Sequence, residues 1–573
     1  GYISTNKKLK LAEFMPMIKS LDYRGYDSWG VSYLSDKITV VKEIGKIDNI
    51  NLPGESNLIL GHTRWATHGG VTKENSHPHL SNDETISLVH NGIIENYQEL
   101  KSKLDGYTFA GQTDTEVLTN YIQSKLNGDT LASFSNVLLE LKGTYAIGFI
   151  KRGENKVYFA RKDSPLVLGI GKNENFISSD VTSFFDRTKT VIYLEDGDYG
   201  YIEGDSVKIF NSGSEVERKK STITWDIEKA KKGEFEHFML KEISEQVDVV
   251  NQVLIQDPKN ILSIVDTLKQ KTVYMVACGT SYNAALAAEY EFLKQGIMPK
   301  VIRAHEFKSY SKFINKNSLI LAISQSGETI DLIDALKSIK NSGAEIVSIV
   351  NVQGSTLDRM SDKRIYMNVG PEICVLSTKS YTASVSILML LAGCMTDTYE
   401  NSKADLTEII RHIYYLTSEN SRKYTKELSQ LLRYTKHLFT IGRRRDYPTA
   451  METALKIKEV SYIHAEGFAG GQIKHGPIAM IENGTPCIVF VSNKNNAEIL
   501  SNAQELKSRG AFIIGVSDKN QEVFDFWIKV RGPDKYSPIL RTIPIQILAY
   551  YLAVLKGLDP DKPRNLAKSV TVK

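Results

Sequence analysis

The second half of the chain repeats itself, and this constrains the fold more than any other feature. From about residue 256, short apolar runs alternate with helical patterns, which predicts strands joined by crossover helices in a parallel sheet. Residues 271–278, then Gly279, match 437–441, then Gly442; 318–323 match 485–491; 343–347 match 510–514; Gly370-Pro371 match Gly532-Pro533. The spacing varies only from 162 residues (Gly370 to Gly532) to 167 (Gly343 to Gly510). Each copy ends in a long apolar helix, 379–391 and 539–555. Two α/β domains are therefore expected, at 256–395 and 428–563.

The copies differ where chemistry would sit. In the first, Ser324-Gln325-Ser326-Gly327-Glu328-Thr329 links the apolar run 319–323 to a helical pattern starting at Ile330. A helix N-terminus offers free N–H groups and a positive dipole end to an anion, and the hydroxyls add donors. Alone, such a cluster is more often a set of helix caps. The second copy has Ser492-Asn493-Lys494-Asn495 at the same place, so one phosphate site is expected. Ligands of parallel sheets gather beyond the carboxyl ends of the strands. Thr280-Ser281 and Ser377-Thr378-Lys379 follow other strands of the same copy and should face the same crevice, which favours a phosphate ligand over plain capping.

The 573 residues are 42% hydrophobic and 24% charged, as in a globular protein, and the net charge of +4 gives no electrostatic case for nucleic acid. The run Arg443-Arg444-Arg445 reads as a solvated turn. The apolar stretch 385–394 is too short to span a bilayer, and the N-terminus has no apolar signal core. A cytoplasmic protein without membrane contact is expected. The four cysteines, Cys278, Cys374, Cys394 and Cys487, lie far apart and show no metal or disulfide spacing, so buried thiols are expected.

Residues 1–215 read as many short strands with a few helices, a mixed α+β domain with stacked sheets. Four polar clusters stand out: 21–28, 62–69 (His62-Thr63-Arg64-Trp65-Ala66-Thr67-His68-Gly69), 89–93 (Val89-His90-Asn91-Gly92-Ile93) and 111–116 around Asp114. Each has a plain structural reading; Asn91-Gly92, for one, is the usual sequence of a hairpin turn. Together they supply an Arg for a carboxylate, an Asp for an ammonium and amide donors for an oxyanion, as hydrolysis of an amino acid's side-chain amide requires. Residues 216–255 read as a charge-rich linker that enters a helical stretch at His237. In the second copy, Glu452, Lys456 and Glu459 share one helix face, a pattern that by itself suits a solvated salt-bridged surface. His475 in Lys474-His475-Gly476-Pro477 could equally cap a turn. The tail 564–573 alternates apolar residues, which suggests that it docks.

The first segment resembles the glutaminase domain of N-terminal-nucleophile (class II) glutamine amidotransferases, and the repeated halves resemble sugar-isomerase (SIS) domains. The clusters in order, with the 324–329 loop, the Lys456 helix, the His475 turn and the tail, resemble the isomerising glutamine–fructose-6-phosphate aminotransferase family over essentially the whole chain. The resemblance implies that Arg64 and Asp114 bind the ends of glutamine, that Trp65, Thr67 and His68 line its pocket, with Trp65 gating ammonia, and that Asn91 and Gly92 form the oxyanion hole. His77 and His79 belong to the same pattern. It implies that Thr280, Ser281, Ser324, Gln325, Ser326, Thr329, Val375 and Ser377 hold fructose 6-phosphate. Lys568 would form a Schiff base, Glu459 would move a proton between carbons, Lys456 would stabilise the enolamine oxygen, and Glu452 would orient the set. His475 would open the sugar ring across a homodimer. No metal and no cofactor is implied. The family's nucleophile is an N-terminal cysteine in a Cys-Gly-Ile-x-Gly start. Gly1-Tyr2-Ile3-Ser4 matches that start from its second glycine, so the nucleophile is expected ahead of Gly1. Without it the glutaminase half is inactive, leaving two alternatives: an ammonia-dependent synthase, or a sugar-phosphate sensor without turnover. Gln472 stands where the family often has Glu; little effect is expected.

Overall fold

A computed structural model describes residues 2–5, 7–47, 52–66, 69–223, 232–492 and 496–570. The chain forms two compact units, Gly1–Ile227 with Ala567–Lys573, and Glu228–Leu566.

The first unit stacks two antiparallel sheets. Strand β1 (Tyr2–Thr5) lies inside the eight-stranded sheet, between β2 (Ile59–Arg64) and Asn175–Ser178. In the seven-stranded sheet, β3 (Ile86–Ile94) pairs with β4 (Gly143–Lys151). Side-chain alternation builds the layers. Leu60, Leu168 and Ile177 meet Val89, Ile150 and Phe159 between the sheets. Ile59 faces the other way, onto Phe14 and Ile18 of the helix Leu11–Lys19. Leu88 faces Leu118 and Tyr121 of helix α1 (Asp114–Lys125). Each such side chain, fully buried, contributes about 1.5–3 kcal/mol. The expected stacked sheets between helices are what the unit contains.

In the second unit, the first copy holds β5 (Thr272–Ala277), α2 (Gly279–Lys294), β6 (Lys300–Arg303), β7 (Ser318–Ser324), α3 (Ile330–Lys337), β8 (Glu345–Val350), β9 (Lys363–Tyr366) and α4 (Lys379–Gly393). The second holds β10 (His437–Gly442), α5 (Asp446–Ser461), β11 (His464–Ala469), β12 (Pro486–Phe490), β13 (Phe512–Ser517), β14 (Phe526–Lys529) and α6 (Thr542–Leu555). Both sheets are parallel with the same order, β6-β5-β7-β8-β9 and β11-β10-β12-β13-β14. The duplication in the sequence is thus a duplication of topology. Helix α4 is buried along its whole length, and α6 nearly so, which explains why both are apolar all round. One apolar core runs through both copies, from Leu321 and Leu388 to Ile488 and Ile547. The helical run Asp534–Leu555 is long and apolar enough to cross a membrane, but 83% of its apolar window is buried in this core.

Four expectations change. Asn91 and Gly92 do not turn the chain; they sit inside β3, opposite Ala146 and Tyr145 of β4. The expected linker 216–255 is not all connector: Lys220–Thr222 pairs with Thr190–Tyr193 at the edge of the eight-stranded sheet, whereas the helical stretch expected from His237 is present as Phe238–Ser244 and Gln246–Leu254 of the second unit. Arg445 is not a solvated turn residue; it is buried and pairs with Glu291 at 2.8 Å. Only three of the four cysteines are fully buried, Cys278 being half-exposed.

Candidate active sites

In the first unit the polar clusters converge. Arg64 ends β2, Asn91 and Gly92 lie in β3, and Asp114 opens α1. Asp114 accepts the Ile94 N–H through Oδ2 at 2.8 Å, which ties the helix to β3. Arg64 is buried and donates to the carbonyls of Gly70 (3.0 Å) and Gly69 (3.3 Å). Burial lowers its pKa, while Asp27 and Asp114 oppose the shift. Register puts Tyr2 of β1 opposite His62, so the N-terminal end of β1 enters this cluster. Trp65 is half-buried; Thr67 and His68 lie outside the described residues.

His62 has a part that its sequence position did not suggest. Its Nε2 lies 3.0 Å from Asn91 Oδ1. Burial holds its pKa well below the ordinary value, so a neutral ring donates to Asn91. That bond leaves the Asn91 amide hydrogens as the face available to a developing oxyanion. His77 packs on His62 with ring centroids 4.2 Å apart, and His79 on His77 at 5.0 Å. Burial depresses both pKa values, so these two form a neutral packing layer.

Gly92 has φ +130°, and a Cβ there would lie 2.1 Å from the Thr144 carbonyl oxygen on β4. Gly92→Ala must push the paired strands apart, at a cost on the order of 1–3 kcal/mol. Thermal unfolding should show a lowered midpoint; an unchanged midpoint would contradict this reading of the strand.

In the second unit the first-copy strand order reverses between β5 and β7, the place where such sheets bind ligands. The loop after β7 is held by its own backbone. Ser324 Oγ accepts the Gly327 N–H (3.1 Å), Ser326 Oγ accepts the Glu328 N–H (3.2 Å), and the Gln325 carbonyl accepts the Asn351 N–H (3.2 Å). Gly327 has φ +67°, and a Cβ would meet Ser355 Oγ at 2.0 Å. Ser281, Gln325, Ser326, Thr329 and Ser377 are half-buried, and Val375 is buried.

The helix face with alternating charge is not solvated. Glu452 and Lys456 are 0% and 1% exposed at their side chains. Lys456 Nζ lies 3.5 Å from Glu452 Oε1 and 2.8 Å from Glu459 Oε2, and donates to Thr280 Oγ1 at 2.9 Å. Thr280 in turn donates to Glu452 Oε1 (3.1 Å), and Asn283 Nδ2 donates to Glu452 Oε2 (2.8 Å). The Thr280 hydroxyl, expected on the phosphate, is engaged by this pair and joins α2 of one copy to α5 of the other. Asn283 escaped the sequence reading; its signal was its place one turn after Thr280 on the same helix. Burial would lower the Lys456 pKa, but Glu459 and Glu452 outweigh it and hold the ammonium charged beyond the ordinary lysine range.

Glu452 moves the opposite way from an ordinary paired carboxylate. Burial, helped by the charge of Glu459, pushes its pKa from 4.5 to about 7 against Lys456, Asn283 and Thr280. Between those values the unfolded carboxyl has lost its proton and the folded one retains it. This group therefore makes the fold lose stability as pH rises through that window, on the order of 3 kcal/mol in all. Glu452→Gln should flatten this part of the stability curve, measured by unfolding across the window; the same slope in the variant would refute the assignment.

The structure joins Glu452, Lys456 and Glu459 to Thr280. His475 lies apart on an exposed turn closed by its N–H to the Gln472 carbonyl at 2.9 Å. Lys568 is half-buried in the tail that clusters with the first unit. Of the second-copy loop, 493–495 lie outside the described residues.

Comparison with known proteins agrees with this architecture. The family described as "Glutamine amidotransferase domain" matches residues 47–244, and "SIS domain" matches 268–393 and 431–556. The glutamine–fructose-6-phosphate aminotransferase (isomerising) of Pyrococcus horikoshii is 40% identical over 601 residues, covering 100% of this chain and 99% of the relative. That of Clostridium acetobutylicum is 39% identical over 607 residues, with the same coverage. The solved C-terminal domain of glucosamine-fructose-6-phosphate aminotransferase from Francisella tularensis is similar with TM-score 0.52 and 30% identity, covering 58% of this chain and 99% of that one. With its paired sheets, its duplicated parallel domains and full-length relatives at this identity, the chain belongs to the isomerising glutamine–fructose-6-phosphate aminotransferase family.

Proposed function

We infer that the chain transfers the amide nitrogen of glutamine to fructose 6-phosphate and isomerises the product to glucosamine 6-phosphate, releasing glutamate. The observation that carries this reading is the buried Glu452–Lys456–Glu459 set, tied through Thr280 to the copy with the hydroxyl-rich loop. A sensor has no need of a sealed ammonium between two carboxylates.

In the first unit, Arg64 and Asp114 suit the α-carboxylate and α-amino group of glutamine, and Asn91 with the Gly92 N–H suits the oxyanion. Attack on the amide carbon needs a nucleophile such as an N-terminal cysteine, whose own α-amine can act as base. In the second unit, the 324–329 loop with Ser281 and Ser377 suits the phosphate at the start of α3. Lys568 condenses with the C2 carbonyl, and ammonia then replaces the lysine. Glu459 takes a proton from C1 and returns it to C2, while Lys456 balances the charge on the enolamine oxygen. His475, exposed on its turn, serves ring opening in a neighbouring subunit of a homodimer, in the cytoplasm.

The test is product formation from fructose 6-phosphate with glutamine and, separately, with ammonia, using a chain that carries the N-terminal cysteine. Glucosamine 6-phosphate from both donors is expected. Product from ammonia alone would remove the glutaminase assignment; none from either donor would remove the function.

A further inference from the structure

Cys278, His305 and Asp331 bring one ligand atom each to within 4.8 Å of one another. None has a part in the chemistry above. They follow three adjacent strands: Cys278 comes directly after β5, His305 two residues after β6, and Asp331 lies in the first turn of α3 beyond β7. Register places the last residue of β5, Ala277, beside Arg303 and Ile323, so the three loops leave the sheet side by side. Cys278 and Asp331 are half-buried and His305 is open to solvent, so an ion has a path in from the His305 side. The Glu306 carboxylate lies 3.9 Å from His305 Nε2.

The donor set selects the ion. Mg2+ and Ca2+ take oxygen ligands, whereas a thiolate, an imidazole and a carboxylate together suit Zn2+ or Co2+. The two anionic ligands neutralise a dication, and binding itself removes the thiol proton. Closing the triad to Zn–ligand distances requires the donors to approach by about 1 Å, which the exposed His305 can supply by rotating. Three protein ligands leave a coordination position for water.

We propose that Cys278, His305 and Asp331 form a binding site for a soft divalent cation of the Zn2+ class. Cys278 stands two residues before Thr280, and Asp331 two after Thr329. A bound ion therefore holds together the starts of α2 and α3, between which the sugar phosphate is placed. Occupancy changes the affinity for fructose 6-phosphate; this consequence rests on the proposed function, and the site itself does not.

Co2+ titrated into the metal-free full chain should give a thiolate-to-cobalt charge-transfer band that saturates at one ion per chain and that excess Mg2+ does not remove. The other three cysteines of residues 1–573 are buried, so in this chain, without an added N-terminal cysteine, Cys278→Ser should abolish the band. His305→Ala, an exposed change with no folding penalty expected, should weaken Co2+ binding about ten-fold or more. No band, or equal affinity in wild type and His305→Ala, overturns the site. In the synthase assay, Zn2+ should shift the KM for fructose 6-phosphate in the wild type and not in His305→Ala, whose metal-free synthesis stays at the wild-type level. A band without a KM shift overturns the coupling alone, and an inactive wild type that still shows the band overturns the function alone.

Discussion

Lys568→Arg should abolish glucosamine 6-phosphate synthesis and leave glutamine hydrolysis in place. An imine forms only from an amine that can present a lone pair to the carbonyl carbon. Lysine does so after losing one proton; the guanidinium of arginine stays charged and delocalised. The variant keeps the positive charge and nearly the length, so phosphate attraction and docking of the tail are preserved. The expected fall in synthesis is about 10³-fold or more, the scale on which covalent catalysis fails without its nucleophile. Ammonia as donor isolates the sugar half, and borohydride should trap sugar phosphate on the wild type alone. Comparable synthesis by the arginine variant would end the Schiff-base role.

Glu459→Gln should lower kcat for synthesis by about 10²–10⁴-fold, the usual contribution of a positioned acid–base group. The structure distinguishes this carboxylate from Glu452. Both pair with Lys456, but Glu459 is 21% exposed at its side chain and Glu452 is 0%. Glu459 is therefore the one proposed to meet the substrate carbon, whereas Glu452 is sealed against Lys456 by Thr280 and Asn283. The amide variant retains shape and loses the ability to carry a proton. The proposed phosphate contacts lie in the 324–329 loop and not at Glu459, so the KM for fructose 6-phosphate should change little. Exchange of solvent deuterium into the transferred position should vanish with kcat. An unchanged exchange rate would shift the proton-transfer role elsewhere.

The same helix shows what could be read without coordinates. Spacing puts Glu452, Lys456 and Glu459 on one face whatever surrounds them, because 3.6 residues complete a turn. It does not say whether that face meets water. Burial came from α5 packing beside α2 of the other copy, an encounter between segments some 170 residues apart in sequence. Asn91-Gly92 shows the opposite error. Locally the pair suits a turn, yet nine residues of β3 pair through it with β4, and Gly92 is needed because Thr144 leaves no room for a side chain. His62 was visible only as one member of a polar cluster, since its bond to Asn91 joins two different sheets.

By itself the sequence determined the stacked α+β unit, the two parallel α/β copies and the copy that carries the hydroxyl-rich loop. Periodicity, apolar runs and repeats are local signals, and hydrophobic burial translates them directly into strands, helices and their order. Only the tertiary structure decided which carboxylate is open and which is sealed, that Thr280 serves the Lys456 pair, that the 216–255 segment belongs to both units, and that Cys278, His305 and Asp331 share one place. Those facts depend on burial and on distances of a few ångströms between segments remote in the chain, and a linear pattern carries neither.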